Sequence, residues 1–160
     1  GLYVRQSEVH GMSQRGGGVQ AHLRLSDKPI SSDLIPSGKA DMILSMEPLE
    51  SLRYLQWLSV DGVLITDAKP FVNIPNYPEV EKLYEAIKVL PKSKIVEAEA
   101  LAKEAGNSKA ENMVLVGAAL DFIPVKKDTI INSVKERFAS KDPKLVEINC
   151  TAIELGSKAN

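Results

Sequence analysis

Cysteine is nearly absent: the 160 residues hold one, Cys150. That excludes an internal disulfide. It also excludes any zinc or iron–sulfur centre built from several cysteines of this chain. Histidine is almost as scarce, at two residues, His10 and His22, and no HExxH spacing exists. Neither sign of charge is in excess. Lys plus Arg is 20 and Asp plus Glu is 21, for a net charge of -1. This excludes the basic footprint of a nucleic-acid binder and of a protein held on an anionic membrane surface. No apolar run approaches the roughly 20 residues of a transmembrane helix, and GLYVRQSEV shows no signal-peptide pattern. The expectation is a cytoplasmic protein with no nucleic-acid or membrane partner, and with Cys150 as a reduced thiol.

What is present is average for a globular chain: 44% hydrophobic and 26% charged residues, which excludes disorder and fibres. A chain of this length buries roughly 70% of its unfolded surface and needs no staples. No internal repeat, low-complexity tract or linker divides it, so one domain, 1–160, is expected. The chain enters directly on Leu2-Tyr3-Val4-Arg5-Gln6-Ser7-Glu8-Val9, which alternates as a strand does, and an upstream piece is expected.

A glycine-rich stretch, residues 10–18, follows. Then Val19, Ala21, Leu23 and Leu25 alternate with Gln20, His22 and Arg24, a half-buried strand with His22 on its wet face. Ser26-Asp27-Lys28-Pro29 reads as a turn, after which 30–35 returns as a short antiparallel partner. Met42-Ile43-Leu44, Val63-Leu64-Ile65-Thr66 and Lys94-Ile95-Val96 read as short buried parallel strands. Between the first two, Glu47-Pro48 opens a helix with Leu49, Leu52, Leu55 and Leu58 on one side, and Asp61-Gly62 turns the chain. Pro70, Pro75 and Pro78 hold an extended loop ahead of a helix over 79–90. Further helices are expected over 97–105, ended by Gly106, and over 108–122, where Gly117 implies close packing. Another is capped by Asp128, and a last one is opened by Pro143. Strands and helices alternate, then helices cluster. The fold class is therefore α/β, a mostly parallel open sheet flanked by helices.

In such sheets ligands sit outside the carboxyl ends of the strands. Four features fall there: the 10–18 loop, Glu47, Asp67 and Glu97. The loop gathers a His, a Gln, an Arg and four glycines, and its backbone N–H groups with Arg15 suit an anion. It is equally a plain connection between strands, and it carries neither a Walker nor a GxGxxG fingerprint. His10 is an acid–base candidate or a hydrogen-bond partner of its own loop. Glu47 and Asp67 sit where helix capping and ligand contact both fit. No Ser/His/Asp or Cys/His set assembles.

The run Ser7-Glu8-Val9-His10-Gly11-Met12-Ser13-Gln14-Arg15-Gly16-Gly17-Gly18-Val19 resembles a segment of the γ-type small subunits of 2-oxoacid:ferredoxin oxidoreductases, and most of all the β subunits of the indolepyruvate:ferredoxin group. The likeness continues in Ser32-Asp33-Leu34-Ile35-Pro36, in Ala40-Asp41-Met42-Ile43-Leu44, through Glu47-Pro48-Leu49-Glu50-Ser51-Leu52-Arg53-Tyr54-Leu55, and in Asn112-Met113-Val114-Leu115-Val116-Gly117-Ala118. It implies a Rossmann-like fold of the γ-domain type. The family opens with a strand, a GxGGxG loop and a helix that these residues do not contain, so the first βα unit is expected to be missing. Gly18 stands where relatives often carry another residue, which loosens the loop.

The resemblance implies a chemistry shared among subunits: thiamine diphosphate attacks a 2-oxo carbon, CO2 leaves, electrons pass singly through iron–sulfur clusters to ferredoxin, and the acyl group goes to coenzyme A. Thiamine diphosphate and the clusters are expected on a large partner subunit, and no cofactor on this chain alone. The residues carried over as substrate, coenzyme A or partner contacts are His10, Gly11, Met12, Gln14, Arg15, Gly16 and Gly17, with Glu47; none is assigned as catalytic and none as a metal ligand. Two other readings stay open, a stand-alone small-molecule-binding α/β module without redox activity and a structural domain that forms a homodimer.

Overall fold

The structure, a computed structural model, describes residues 1–9 and 19–159. Five strands and six α-helices are seen among them. A hairpin of β1 (Tyr3–Val9) and β2 (Gln20–Ser26) stands apart from a parallel sheet of β3 (Ala40–Ser45), β4 (Leu58–Asp67) and β5 (Ser93–Val96), in the order β3-β4-β5. The helices are α1 (Pro48–Arg53), α2 (Val80–Lys88), α3 (Ala98–Glu104), α4 (Glu111–Ala119), α5 (Lys127–Arg137) and α6 (Pro143–Gly156).

β4 is the centre of the sheet, and its residues from Val63 to Asp67 are all buried. Alternation sends its side chains to two opposite layers. Val63 and Ile65 join Val96, Ala102, Val114, Leu115 and Ala152 in one apolar cluster beneath α3, α4 and α6. Leu64 lies outside that cluster, and on the other side α1 and α2 pack together, α1 on β3 and β4 and α2 on β5. Helices on both faces are what a parallel sheet of near-continuous apolar runs requires. α5 is held only at the margin, by a small cluster of Leu120, Val134 and Ile153.

Several expectations are corrected. Residues 30–35 form no strand. Their backbone is tied by side chains of β2 instead: Arg24 donates to the carbonyls of Ser32 (2.8 Å) and Leu34 (3.1 Å), and the Ile35 N–H donates to His22 Nδ1 (3.1 Å). Asp61-Gly62 is no turn but an irregularity inside β4, where the register jumps from Ala40↔Leu58 to Met42↔Val63. Glycine is required there because a Cβ would come within 2.9 Å of the Ala40 carbonyl oxygen. Leu55 and Leu58 leave the α1 helix for a 3₁₀ turn and for β4. Asp128 lies in the first turn of α5 rather than capping it, the cap position being Lys126.

Gly106 ends α3 at a φ of +109, as a C′ glycine does. The close packing expected of Gly117 is found: α4 and α6 touch backbone to backbone. A Cβ on Gly117 would overlap the Ile153 carbonyl oxygen, and one on Gly156 would overlap that of Val114. Neither obstacle is a flexible side chain. Gly156→Ala is therefore expected to lower stability by about 1–3 kcal/mol or more, measured by urea unfolding. A variant as stable as the parent would show that the two helices part easily.

Candidate functional site

A cleft of about 670 Å3 opens between the hairpin and the parallel sheet. Its walls come from the start of β2, from β3 and the turn after it, from α1, and from the segment after β4. It reaches the carboxyl ends of β3 and β4, where a ligand site was expected. Two of the four features placed there by the sequence, Glu47 and Asp67, line it. Glu97 does not. It sits exposed at the N-cap position of α3 and makes no side-chain cap bond.

Asp67 takes over that capping. It is 2% exposed, and its Oδ1 accepts from the N–H groups of Lys69 (3.2 Å) and Ala98 (3.3 Å), the latter being the first residue of α3. The end of the central strand thus caps the helix of the next βα unit. Burial pushes the Asp67 carboxyl above the usual range, and the backbone N–H bonds oppose that. Beside it, Lys69 pairs with Glu99 (3.0 Å) and Glu111 (3.7 Å). The Glu99 bond comes first among the causes that hold its ammonium above the usual value.

Glu47 caps α1 and does more. Its Oε2 accepts from the Glu50 N–H (2.7 Å), while Oε1 accepts from the Phe71 N–H (3.3 Å) and from the Tyr77 hydroxyl. One carboxylate therefore ties the loop after β4 to the helix after β3. Burial first, and then the bond to Glu47, hold the Tyr77 phenol well above its ordinary value. Capping, one of the two roles open to Glu47, is realised, and the residue also faces the cleft.

His22 corrects its expectation. It is 7% exposed and lines the cleft instead of facing water. His22 Nδ1 accepts from the Ile35 N–H, and the Gln20 side-chain amide lies 2.8 Å from Nε2. Alternation alone put His22 on the polar face; the cover comes from residues 30–35, which lie beside β2 as a loop and not as the expected strand. Tyr77, Lys69 and Glu111 were also missed. The signals that mark Lys69 and Tyr77 are positional: Lys69 follows a buried strand end by two residues, and Tyr77 lies in the proline-rich loop. His10, Gly11, Met12, Gln14, Arg15, Gly16 and Gly17 lie outside the described residues; Val19 and Gln20, which follow them, line the cleft.

Among the described lining residues, Glu47, Glu50, Asp67 and Glu111 face a single ammonium, Lys69. Lys69 is already paired with Glu99 and Glu111, and Arg53 with Glu50 (2.8 Å), so the described walls by themselves offer a diphosphate no free cation. One cysteine cannot hold an iron–sulfur cluster. Burial pushes the Cys150 thiol up, away from the reactive thiolate. No helix among the described residues is long and apolar enough to cross a membrane.

Comparisons with known proteins place these features. The family model described as pyruvate ferredoxin/flavodoxin oxidoreductase matches residues 1–159. The indolepyruvate oxidoreductase subunit IorB of Pyrococcus horikoshii is 37% identical over 169 residues, covering 99% of this chain and 82% of that protein. Pyruvate oxidoreductase subunit PORC of Thermotoga maritima superposes with a TM-score of 0.70 at 19% identity, covering 99% of this chain and 80% of that one. The 2-oxoglutarate:ferredoxin oxidoreductase of Magnetococcus marinus, solved with 2-oxoglutarate, coenzyme A and succinyl-CoA bound, superposes with a TM-score of 0.73 at 16% identity. There the match covers 98% of this chain and 25% of that one. Both structural matches support the expected fold class.

Two outcomes are expected. Asp67→Asn keeps the acceptor and removes a charge that burial opposes. The folded-state pKa lies above the unfolded value of about 4, so ionising Asp67 costs stability once the pH passes that value. The variant should melt higher than the parent at pH 7, with the gap closing below about pH 4, in a thermal melt across pH. A gap of constant size would remove ionisation as its cause. Glu47→Ala loses the cap and the ties to Phe71 and Tyr77, and should cost about 1–3 kcal/mol by urea unfolding.

Proposed function

The chain belongs to the pyruvate ferredoxin/flavodoxin oxidoreductase family, and on that premise we propose that it is the small subunit of an indolepyruvate:ferredoxin oxidoreductase. The observation that carries this reading is the 37% identity to a subunit of that name over nearly the whole chain. The reaction is the oxidative decarboxylation of an aryl 2-oxo acid to its acyl-CoA, with electrons passed to ferredoxin. The chain is inactive alone and works in the cytoplasm. Thiamine diphosphate and the iron–sulfur clusters belong to a large partner subunit, in keeping with the single cysteine and the acidic walls here. Ferredoxin and coenzyme A are met in the assembled complex.

On this reading the chain binds and orients; it does not perform the bond-making steps. The 2-oxo acid and coenzyme A are anions, while the described walls carry four carboxylates against one ammonium. The cation that an anionic group needs is assigned to Arg15. The segment holding His10, Gly11, Met12, Gln14, Gly16 and Gly17 with it ends beside Val19 and Gln20 of the cleft wall. Glu47 keeps that wall in shape. β3 lies at the edge of its sheet and lines the cleft along its length, and there we seat the further parallel strand of the family's first βα unit.

The test is an anaerobic pull-down with the chain as bait. A large co-purifying subunit with brown iron–sulfur absorbance is expected, and a colourless chain recovered alone would overturn the reading. In the assembled enzyme Arg15→Ala should leave the fold unchanged and lower kcat/KM for indolepyruvate by about tenfold or more, equivalent to one charge-assisted hydrogen bond. Full activity in that variant would remove Arg15 from the site.

A further inference from the structure

The hairpin is the least supported part of the described molecule. Two strands by themselves are at best marginally stable in water, and β1 with β2 stands apart from the parallel sheet. Its face with Val4 and Leu23 is open to solvent. Its other face, with Arg5, Ser7, His22 and Arg24, is the one tied to residues 30–35. Among the described residues two of the polar ties lie at the surface: Arg24 on the carbonyls of Ser32 and Leu34, and the half-exposed Arg5–Asp33 pair at 3.6 Å. Exposed charged ties hold weakly. The third tie is buried: His22 Nδ1 accepts from the Ile35 N–H at 3.1 Å.

That bond exists in one protonation state. A backbone N–H only donates, so Nδ1 has to offer its lone pair. An imidazolium donates from both nitrogens and would set a hydrogen against that of Ile35. Histidine is the side chain whose ordinary charge change falls between about pH 5 and 8. The charged groups around His22 offer a cationic ring no free counter-ion. On its own face Arg24 lies two residues along β2, with Arg5 opposite Arg24, and the residue opposite His22 is the uncharged Ser7. Residues 30–35 bring Asp33, which Arg5 engages. α1 and its cap bring Glu50 and Glu47 to the shared cleft, the first paired with Arg53 and the second bonded to Tyr77. β3 lines that cleft without a charged side chain, and Asp67, Lys69 and Glu111 complete its charges. No described carboxylate is ion-paired with the ring.

We propose that His22 is a pH-sensitive clasp: the neutral ring holds the hairpin to residues 30–35, and protonation releases it. Val19 and Gln20, at the start of β2, line the cleft, so release opens that wall. The clasp belongs to this chain and does not depend on the subunit reading.

The experiment is hydrogen–deuterium exchange of the full chain at about pH 7.5 and about pH 5.5, with protection referred to the unfolded rate at the same pH. In the parent, acidification should cut the protection of β1, β2 and Ile35 about tenfold or more and leave α4 and α6 unchanged. His22→Asn puts an acceptor that does not titrate, Oδ1, near the place of Nδ1, and should keep the hairpin protected at both pH values. His22→Ala should leave it open at both; if α4 and α6 open as well, that variant has lost its fold and the Asn variant decides. A parent hairpin equally protected at both pH values would overturn the proposal. So would an Asn variant that opens on acidification as the parent does, because another group, Asp33 first, would then be the trigger. An Asn variant open at both values would show that the acceptor facing Ile35 is not what holds the hairpin, and the clasp would fall.

Discussion

The complete burial of β4 from Val63 to Asp67 is the constraint on which the rest depends. Five consecutive residues without solvent need an apolar layer on each face, and α1 with α2 and α3 with α4 and α6 supply them. The strand ends on an aspartate, so a carboxylate is drawn into that dry centre. It survives because α3 begins beside it and offers an N–H, and because Lys69 offers another. The helix that covers the sheet and the acid that ends it are therefore one arrangement.

The cleft follows from the same geometry. Parallel strands send their carboxyl ends to one side, so the segments after β3 and β4 meet there. Glu47 joins the two by accepting from Glu50, Phe71 and Tyr77 at once. The hairpin closes the other side, and its hold on the body is polar: Arg24, His22 and the Arg5–Asp33 pair at 3.6 Å all reach toward residues 30–35. A two-stranded sheet is marginal by itself, and this one leaves Val4 and Leu23 uncovered.

The local periodicity of the sequence was a good guide wherever an element buries one face against its neighbours in the chain. The three parallel strands, α2, α3, α4 and α6 fall close to where apolar spacing and the Pro and Gly signals put them. The exceptions have a common cause. Residues 30–35 follow a turn signal that suits a returning strand, but Arg24 and His22 claim their backbone groups. Asp61-Gly62 has turn chemistry, but the neighbouring β3 backbone passes too close for any side chain at Gly62 and the strand runs on through it. In each case a group remote in sequence outweighed a local preference.

The sequence by itself determined the fold class, the family and the exclusion of a cluster site, because composition, periodicity and motif identity are properties of the chain read in order. Tertiary structure alone decided that His22 is buried, that Asp67 rather than Glu97 caps α3, and that Glu47 meets Tyr77 across thirty positions of chain. Alternation tells which face of an element is apolar. It carries no information about which distant segment will cover that face, nor about which backbone N–H will be left without a partner for a carboxylate to find.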